Sequence, residues 1–246
     1  MLLHATYFPV PCMPPRTLAI VRYQMMSSPQ VRYACSLHVS GSSSLNNKPT
    51  PWLLIGLGNP GKKYEGTRHN VGFEMIDSIA KAEGISLNAI QSKSLIGKGY
   101  ICNTPVLLAK PQTYINLTGE SVGSLAVYYR IPFQHILLMF DMMELPSGIL
   151  RIQAKGGHGL HNGVKSVINH LKGNRNFPRL CIGIGNPPGS MDSKAYVLQQ
   201  FSTMEREKMN ISLQEGVDAT RLLISEGFSQ SIDGFNKRQK YKYHKV

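Results

Sequence analysis

From residue 51 onward the chain alternates short apolar runs with longer stretches whose apolar positions recur every three to four residues. The run at 53–57 predicts a strand. Residues 70–83 read as a helix with Gly84 as its C-terminal stop. Apolar segments at 100–102 and 106–109 flank Asn103-Thr104-Pro105 and predict a hairpin. A helix over 120–129 then precedes a strand at 136–140 whose end delivers Asp141. A strand at 149–153, a helix at 161–171 and a strand at 179–185 follow. The last helix starts at Ser202-Thr203-Met204-Glu205, the spacing of a capping box, and runs to Gly227. Strands interleaved with helices predict an α/β fold: a single three-layer domain with a mixed, twisted sheet between helices.

The first fifty residues break this pattern. They contain no Asp or Glu, carry fixed charge only at Arg16, Arg22, Arg32 and Lys48, and end in a Ser-rich stretch before Asn46-Asn47-Lys48-Pro49. That composition predicts a disordered transit peptide over 1–50, ahead of a domain over 51–230 and a basic tail over 231–246. The formal net charge is +13, most of it outside the leader, which points to an anionic partner such as nucleic acid. No apolar run approaches the roughly 18 residues that a membrane span requires. Cys12, Cys35, Cys102 and Cys181 have neither metal-ligand nor disulfide-framework spacing, and read as free thiols in a reducing compartment.

Gly56, Gly58 and Gly61 have the G-x-G-x-x-G spacing of a dinucleotide-binding turn. In such a turn the helix begins within the glycines, so that its N–H groups face the pyrophosphate. Here Gly61 is followed by Lys62-Lys63-Tyr64-Glu65-Gly66-Thr67-Arg68, which has no helical period, and the nearest acid at the required distance, Glu74, falls inside a helix. A nucleotide cofactor is therefore not expected. The turn instead presents Asn59, and the loop after it His69. Asn116, Asp141 and Asn162 stand at similar strand ends and loop tips. One histidine, one carboxylate and three carboxamides suit a site where His takes a proton from water, Asp fixes its tautomer, and the amides hold a carbonyl substrate. A metal is not expected, because carboxamides are poor zinc ligands and His158 and His161 lack carboxylate or thiolate company in sequence.

The stretches GLGNPGKKYEGTRHNVGF, KPQTYINLTGESV, FDMMELPSG, GGHGLHNG and FPRLCIGIGNPPG occur in that order. Together they resemble the bacterial-type peptidyl-tRNA hydrolase family. The resemblance implies a cleft in which the ester between a peptide and the tRNA 3′ end is hydrolysed without a cofactor. It implies His69 as general base and Asp141 as its orienting partner. Asn59, Asn116 and Asn162 would hold water and peptide, with Tyr64 and Tyr114 beside the terminal nucleotide and peptide. Three departures bear on function. The acidic run usual after the catalytic Asp is replaced by Met142-Met143-Glu144, and the glycine usual before His-Asn-Gly by Leu160. The Lys and Arg with which the bacterial enzymes grip the tRNA 5′-phosphate align with Gln153 and Cys181. Losing both cations forfeits charge-assisted hydrogen bonds to phosphate, although Arg151, Lys155 and Lys165 remain nearby.

The leader, the stretch IQSKSLIGKG and the ending FNKRQKYKYHKV are similar to a plant branch of the family, the chloroplast group IIB intron splicing facilitators. That likeness implies a protein of the chloroplast stroma, or alternatively of the mitochondrion. It would associate with group II intron RNA through CRM-domain partners and be monomeric outside that complex. Met142, Met143 and Leu160 would then offer an apolar patch to a protein partner, and the Lys- and Tyr-rich tail would neutralise and stack on RNA. The alternative is an active organellar hydrolase acting on peptidyl-tRNA.

Overall fold

The structure is a computed structural model that describes residues 49–243. The predicted leader, apart from its last two residues, and residues 244–246 lie outside the described residues. The core of the fold is one seven-stranded sheet in the order β2-β3-β4-β1-β5-β7-β6. The central strands β1 (Trp52–Gly56), β4 (Thr104–Pro111), β5 (Ile136–Met142) and β7 (Arg179–Gly183) run parallel. Antiparallel strands complete both edges: β2 (Ala89–Gln91) and β3 (Ser94–Ile101) on one side, and β6 (Leu150–Gln153) on the other.

Alternation along the strands divides the interior into two cores. On β1, Leu54 faces a core shared with α1 (Val71–Glu83), α5 (Thr203–Glu226) and α6 (Gln230–Tyr241). Leu53 and Ile55 face a second core with α2 (Thr118–Tyr128) and α3 (Asn162–His170). A short helix, α4 (Ser193–Val197), precedes α5. The predicted mixed sheet between helix layers is what forms, and the predicted stops act as read: Gly84 takes a left-handed φ of 65° after α1, and Ser202 and Glu205 close the capping box of α5.

Three local expectations need correcting. The hairpin turn is Cys102-Asn103, both at positive φ, so Thr104 and Pro105 already belong to β4. Strand β2 and helix α4 were not anticipated, being only three and five residues long. The segment read as a basic tail is helical through Tyr241. Its Ile232 and Phe235, three apart on one face, enter the first core, while Lys237, Arg238 and Lys240 stay exposed. The helix also closes an open sheet edge. Asn236 accepts from the Ile152 N–H and donates to the Ile152 carbonyl, both at 2.9 Å, and the Gln239 Oε1 accepts from the Leu150 N–H at 3.0 Å. Two carboxamide side chains thus take the place of an eighth strand beside β6.

One close approach sets the position of the functional loop. A Cβ on Gly72 would lie 2.5 Å from the carbonyl oxygens of Leu57 and Met139, so the first turn of α1 sits against the backbone of β5 and the residue following β1. Only glycine allows that distance. The residues just before α1 are thereby held over the C-terminal ends of the central parallel strands, where ligands bind in open α/β sheets.

Candidate active site

His69 lies in a three-residue 3₁₀ turn, Arg68–Asn70, that leads into α1. Asp141 is the next-to-last residue of β5. The His69 Nδ1 stands 2.9 Å from Asp141 Oδ1, and the same oxygen lies 3.0 Å from Nε2 of His161. His161 is the N-cap of α3, and its Nδ1 accepts from the Gly163 and Val164 amides at 3.1 and 3.2 Å. These bonds fix the protons. A ring nitrogen that accepts amide protons carries none, so the proton of neutral His161 is on Nε2 and is donated to Asp141. The carboxylate can only accept, so His69 also donates, from Nδ1. Its Nε2 is left with a lone pair and can take a proton from water.

The charges agree with this arrangement. Asp141 is buried, which by itself would raise its pKa. The His69 and His161 rings and their hydrogen bonds outweigh burial and hold the carboxyl far below the usual range. Burial works against the His69 imidazolium too, but the Asp141 charge and hydrogen bond prevail, and the His69 pKa is raised. The ligand atoms of His69, Asp141 and His161 lie within 4.8 Å of one another, the one such three-residue cluster among the described residues. A metal would have to displace the two ring protons that bind Asp141 and sit near 2 Å from each ligand. The donor set is already satisfied as a hydrogen-bonded triad.

Asn59 is buried where the chain leaves β1. Its backbone N–H donates to Asn70 Oδ1 at 2.8 Å, and Asn70 Nδ2 donates back to the Asn59 carbonyl at 2.9 Å. The Asn59 Oδ1 accepts from the Ile115 N–H at 2.9 Å, which leaves its Nδ2 to donate to a substrate. That bond ties Asn59 to the 3₁₀ turn Ile115–Leu117, on which Asn116 is exposed. The first turn of α3 joins the same cluster: a Cβ on Gly163 would touch Ile115, Leu57 and the His161 ring at 2.9–3.0 Å. Asn162, exposed beside Gly163, is carried there with it. Tyr114 caps the Asn116 turn and is exposed, and Tyr64 is half-buried with the Lys63 ammonium 4.7 Å over its ring. His161 and Asn70 are the site residues that sequence reading missed. Each adjoins a residue it singled out, and a polar residue at a helix start is the signal that marks both.

Residues 53–243 match the family model described as peptidyl-tRNA hydrolase. The chain belongs to the peptidyl-tRNA hydrolase family. It is 62% identical over 197 residues to the chloroplastic group IIB intron splicing facilitator CRS2-B of Arabidopsis thaliana, covering 80% of this chain and 82% of that one. It is 56% identical over 189 residues to the chloroplastic peptidyl-tRNA hydrolase of the same plant, covering 77% and 66%. The crystal structure of peptidyl-tRNA hydrolase from Acinetobacter baumannii superposes with a TM-score of 0.71 at 33% identity, over 79% of this chain and 97% of that one.

Within this peptidyl-tRNA hydrolase fold, Gln153 and Cys181, expected from the resemblance to stand at the phosphate-gripping positions, touch each other: the Cys181 thiol donates to Gln153 Oε1 at 3.8 Å. Burial pushes the Cys181 thiol up to about 12, so it stays neutral. Arg151, paired with Cys181 in the sheet register, is exposed, as are Lys155 and Lys165. Arg179 offers no cation at the surface. It is buried, stacks on Phe177 at 4.3 Å and donates to the Gly156 carbonyl at 2.7 Å. The apolar trio separates. Met142, the last residue of β5, and Met143, in the turn after it, are half-buried against different cores, whereas Leu160 is 83% exposed at a left-handed φ of 60°. Of the three, Leu160 is the exposed apolar member.

Proposed function

We propose that this protein is a chloroplast group IIB intron splicing facilitator, an RNA-associated member of the peptidyl-tRNA hydrolase family recruited through CRM-domain partners. The observation that carries the reading is the neutral Gln153–Cys181 contact. Where the resemblance implies two cations reading a tRNA 5′-phosphate, the chain has a buried thiol against a carboxamide. The 62% identity to a protein named as a splicing facilitator supports it. So does the formal charge of +13, with Arg151, Lys155, Lys165, Lys237, Arg238 and Lys240 exposed for phosphate contacts. The acid-free leader and the relatives named chloroplastic support delivery to the chloroplast stroma. A fluorescent fusion of residues 1–50 tests that part, and a cytosolic or mitochondrial signal refutes it.

The second reading, an active organellar peptidyl-tRNA hydrolase, is favoured by one specific observation: His69 keeps a free Nε2 and a carboxylate partner. On that reading His69 takes a proton from water as the water oxygen attacks the ester carbonyl, Asp141 balances the imidazolium, and the bond to the tRNA 3′ oxygen then breaks as His69 returns the proton to that oxygen, freeing the peptide acid and the tRNA. Asn59, Asn116 and Asn162 hold water and peptide, with Tyr64 and Tyr114 alongside.

One experiment separates the two. The mature chain is given peptidyl-tRNA and ester cleavage is followed. Little cleavage is expected, and Gln153→Lys with Cys181→Arg should raise it, each restored charged hydrogen bond contributing on the order of 1.5–3 kcal/mol. Efficient turnover that disappears in His69→Ala would make the protein a hydrolase.

A further inference from the structure

The turn that carries His69 is three residues long and has no side-chain cap. So short a turn does not hold its own conformation against thermal motion, since a single-turn nucleus is unfavourable without outside support. Support comes from the two residues that flank His69 within it. Asn70 grips Asn59 on the β1 side. On the other side Arg68 reaches across to the segment before α5.

Arg68 is 5% exposed, and its guanidinium is sandwiched between aromatic rings, 4.4 Å from the Tyr196 centroid and 5.1 Å from that of Phe201. Nη1 donates to the Gln200 carbonyl, and Nη2 to both carboxylate oxygens of Glu205 at 2.9 and 2.7 Å. The Arg68 backbone N–H donates to the Gln199 carbonyl at 2.9 Å, and Thr67 forms a β-bridge with Gln200. Glu205 also serves the N-terminus of α5, because its Oε2 accepts from the backbone N–H and the hydroxyl of Ser202 at 2.8 and 2.7 Å. One carboxylate therefore starts α5 and holds the arginine next to His69. Bonds from both Nη atoms and two aromatic rings hold the plane of the guanidinium, and Arg68 is joined to His69 by a single peptide unit.

We infer that Arg68 is a positioning residue for His69, and that Glu205 locks it in place from the start of α5. The role is independent of whether the site hydrolyses peptidyl-tRNA, because it concerns only how the imidazole is held against Asp141.

NMR titration of the His69 ring in the full chain tests it, since the His69 pKa reports the fit of its Nδ1 to Asp141, with His161 the other titratable group facing that carboxylate. Arg68→Lys keeps the charge but cannot bind Gln200 and Glu205 through two nitrogens while stacking on the rings, and Glu205→Gln removes the charge that Nη2 binds. Both should move the His69 midpoint down from its raised value toward 6.5. The control is Arg221→Gln, which breaks a comparable 2.7 Å ion pair between α5 and Glu83 of α1, away from the turn. It should lower the melting temperature without moving His69. An unmoved His69 midpoint in Arg68→Lys and Glu205→Gln, with only the melting temperature lowered, reduces Arg68 to a structural strut and overturns the inference. An equal shift in Arg221→Gln overturns it as well, because the effect would then be general loosening.

Discussion

Replacing Asp141 by asparagine should reverse the pH dependence that His69 imposes on stability. In the native protein burial disfavours the imidazolium, yet the His69 pKa is raised, and both causes that raise it come from Asp141: its charge and its 2.9 Å hydrogen bond. Asparagine keeps the shape and an acceptor oxygen but not the charge. Desolvation is then the dominant cause left, and the His69 pKa should fall below its ordinary 6.5. The linkage follows from the two signs. With a raised folded pKa, the stabilisation is complete below 6.5 and is lost as pH rises through the folded value. With a depressed one, the unfolded chain binds the extra proton and stability falls as pH drops through 6.5. Asp141 itself contributes on the acid side: its depressed pKa gives stability above 3.8 that is lost as pH falls toward the folded value, and the variant lacks this. Oδ1 accepts two bonds, at 2.9 and 3.0 Å. Turning each from charge-assisted to neutral costs about 1–1.5 kcal/mol, or roughly 2–3 kcal/mol together, and the easier burial of a neutral amide offsets part of this. Urea unfolding at about pH 5.5 and about pH 8, either side of an ordinary histidine, measures the slope. NMR of the His69 ring measures the pKa. A variant whose His69 titrates above 6.5, or whose stability still falls with rising pH across that window, would refute the reasoning.

Other substitutions test the frame around the site. Gly72→Ala places a Cβ 2.5 Å from two carbonyl oxygens that cannot swing aside, and should destabilise by about 3 kcal/mol or more in urea unfolding; a neutral result would mean the approach of α1 to the sheet is looser than described. Asn236→Leu leaves the Ile152 N–H and carbonyl without their partner at the edge of β6, and should cost about 1–3 kcal/mol by the same measurement, with no loss counting against the strand-like role of α6. Leu160→Gly relieves a left-handed backbone strain of roughly 1 kcal/mol and should leave the melting temperature unchanged or higher. If exposed Leu160 meets a partner, the same variant should recover less CRM-domain protein and intron RNA from chloroplast extract; full recovery removes it from the partner surface.

Much of the fold was legible because its signals are local. The strand read at 53–57, the capping box at Ser202 and Glu205, and the stop at Gly84 each depend on residues within one or two turns of chain; the cap and the stop formed as read, and the strand runs one residue earlier, Trp52–Gly56. The basic ending was misread for the opposite reason. Its composition favours a solvated tail, and only docking against β6 gives Ile232, Phe235 and Asn236 something to bury or bind. Strand β2, three residues long, likewise owes its existence to β3 beside it.

The candidate site divides along the same line. The sequence alone specified His69, Asp141 and Asn59 as residue types suited to moving a proton and holding a carbonyl, each at a strand end or loop tip. It could not specify that Asp141 serves two histidines, since His161 reads locally only as the first residue of a helix and becomes a partner of that carboxylate only when α3 and β5 converge. Nor could it show that Met142, the last residue of β5, and Met143, in the turn after it, pack against different cores. Chain-local hydrogen bonds and apolar periods are written in neighbouring residues. Proton positions and shared partners arise between groups distant in sequence, 72 residues apart for His69 and Asp141 and 137 for Arg68 and Glu205, and only the packed sheet brings those groups within reach.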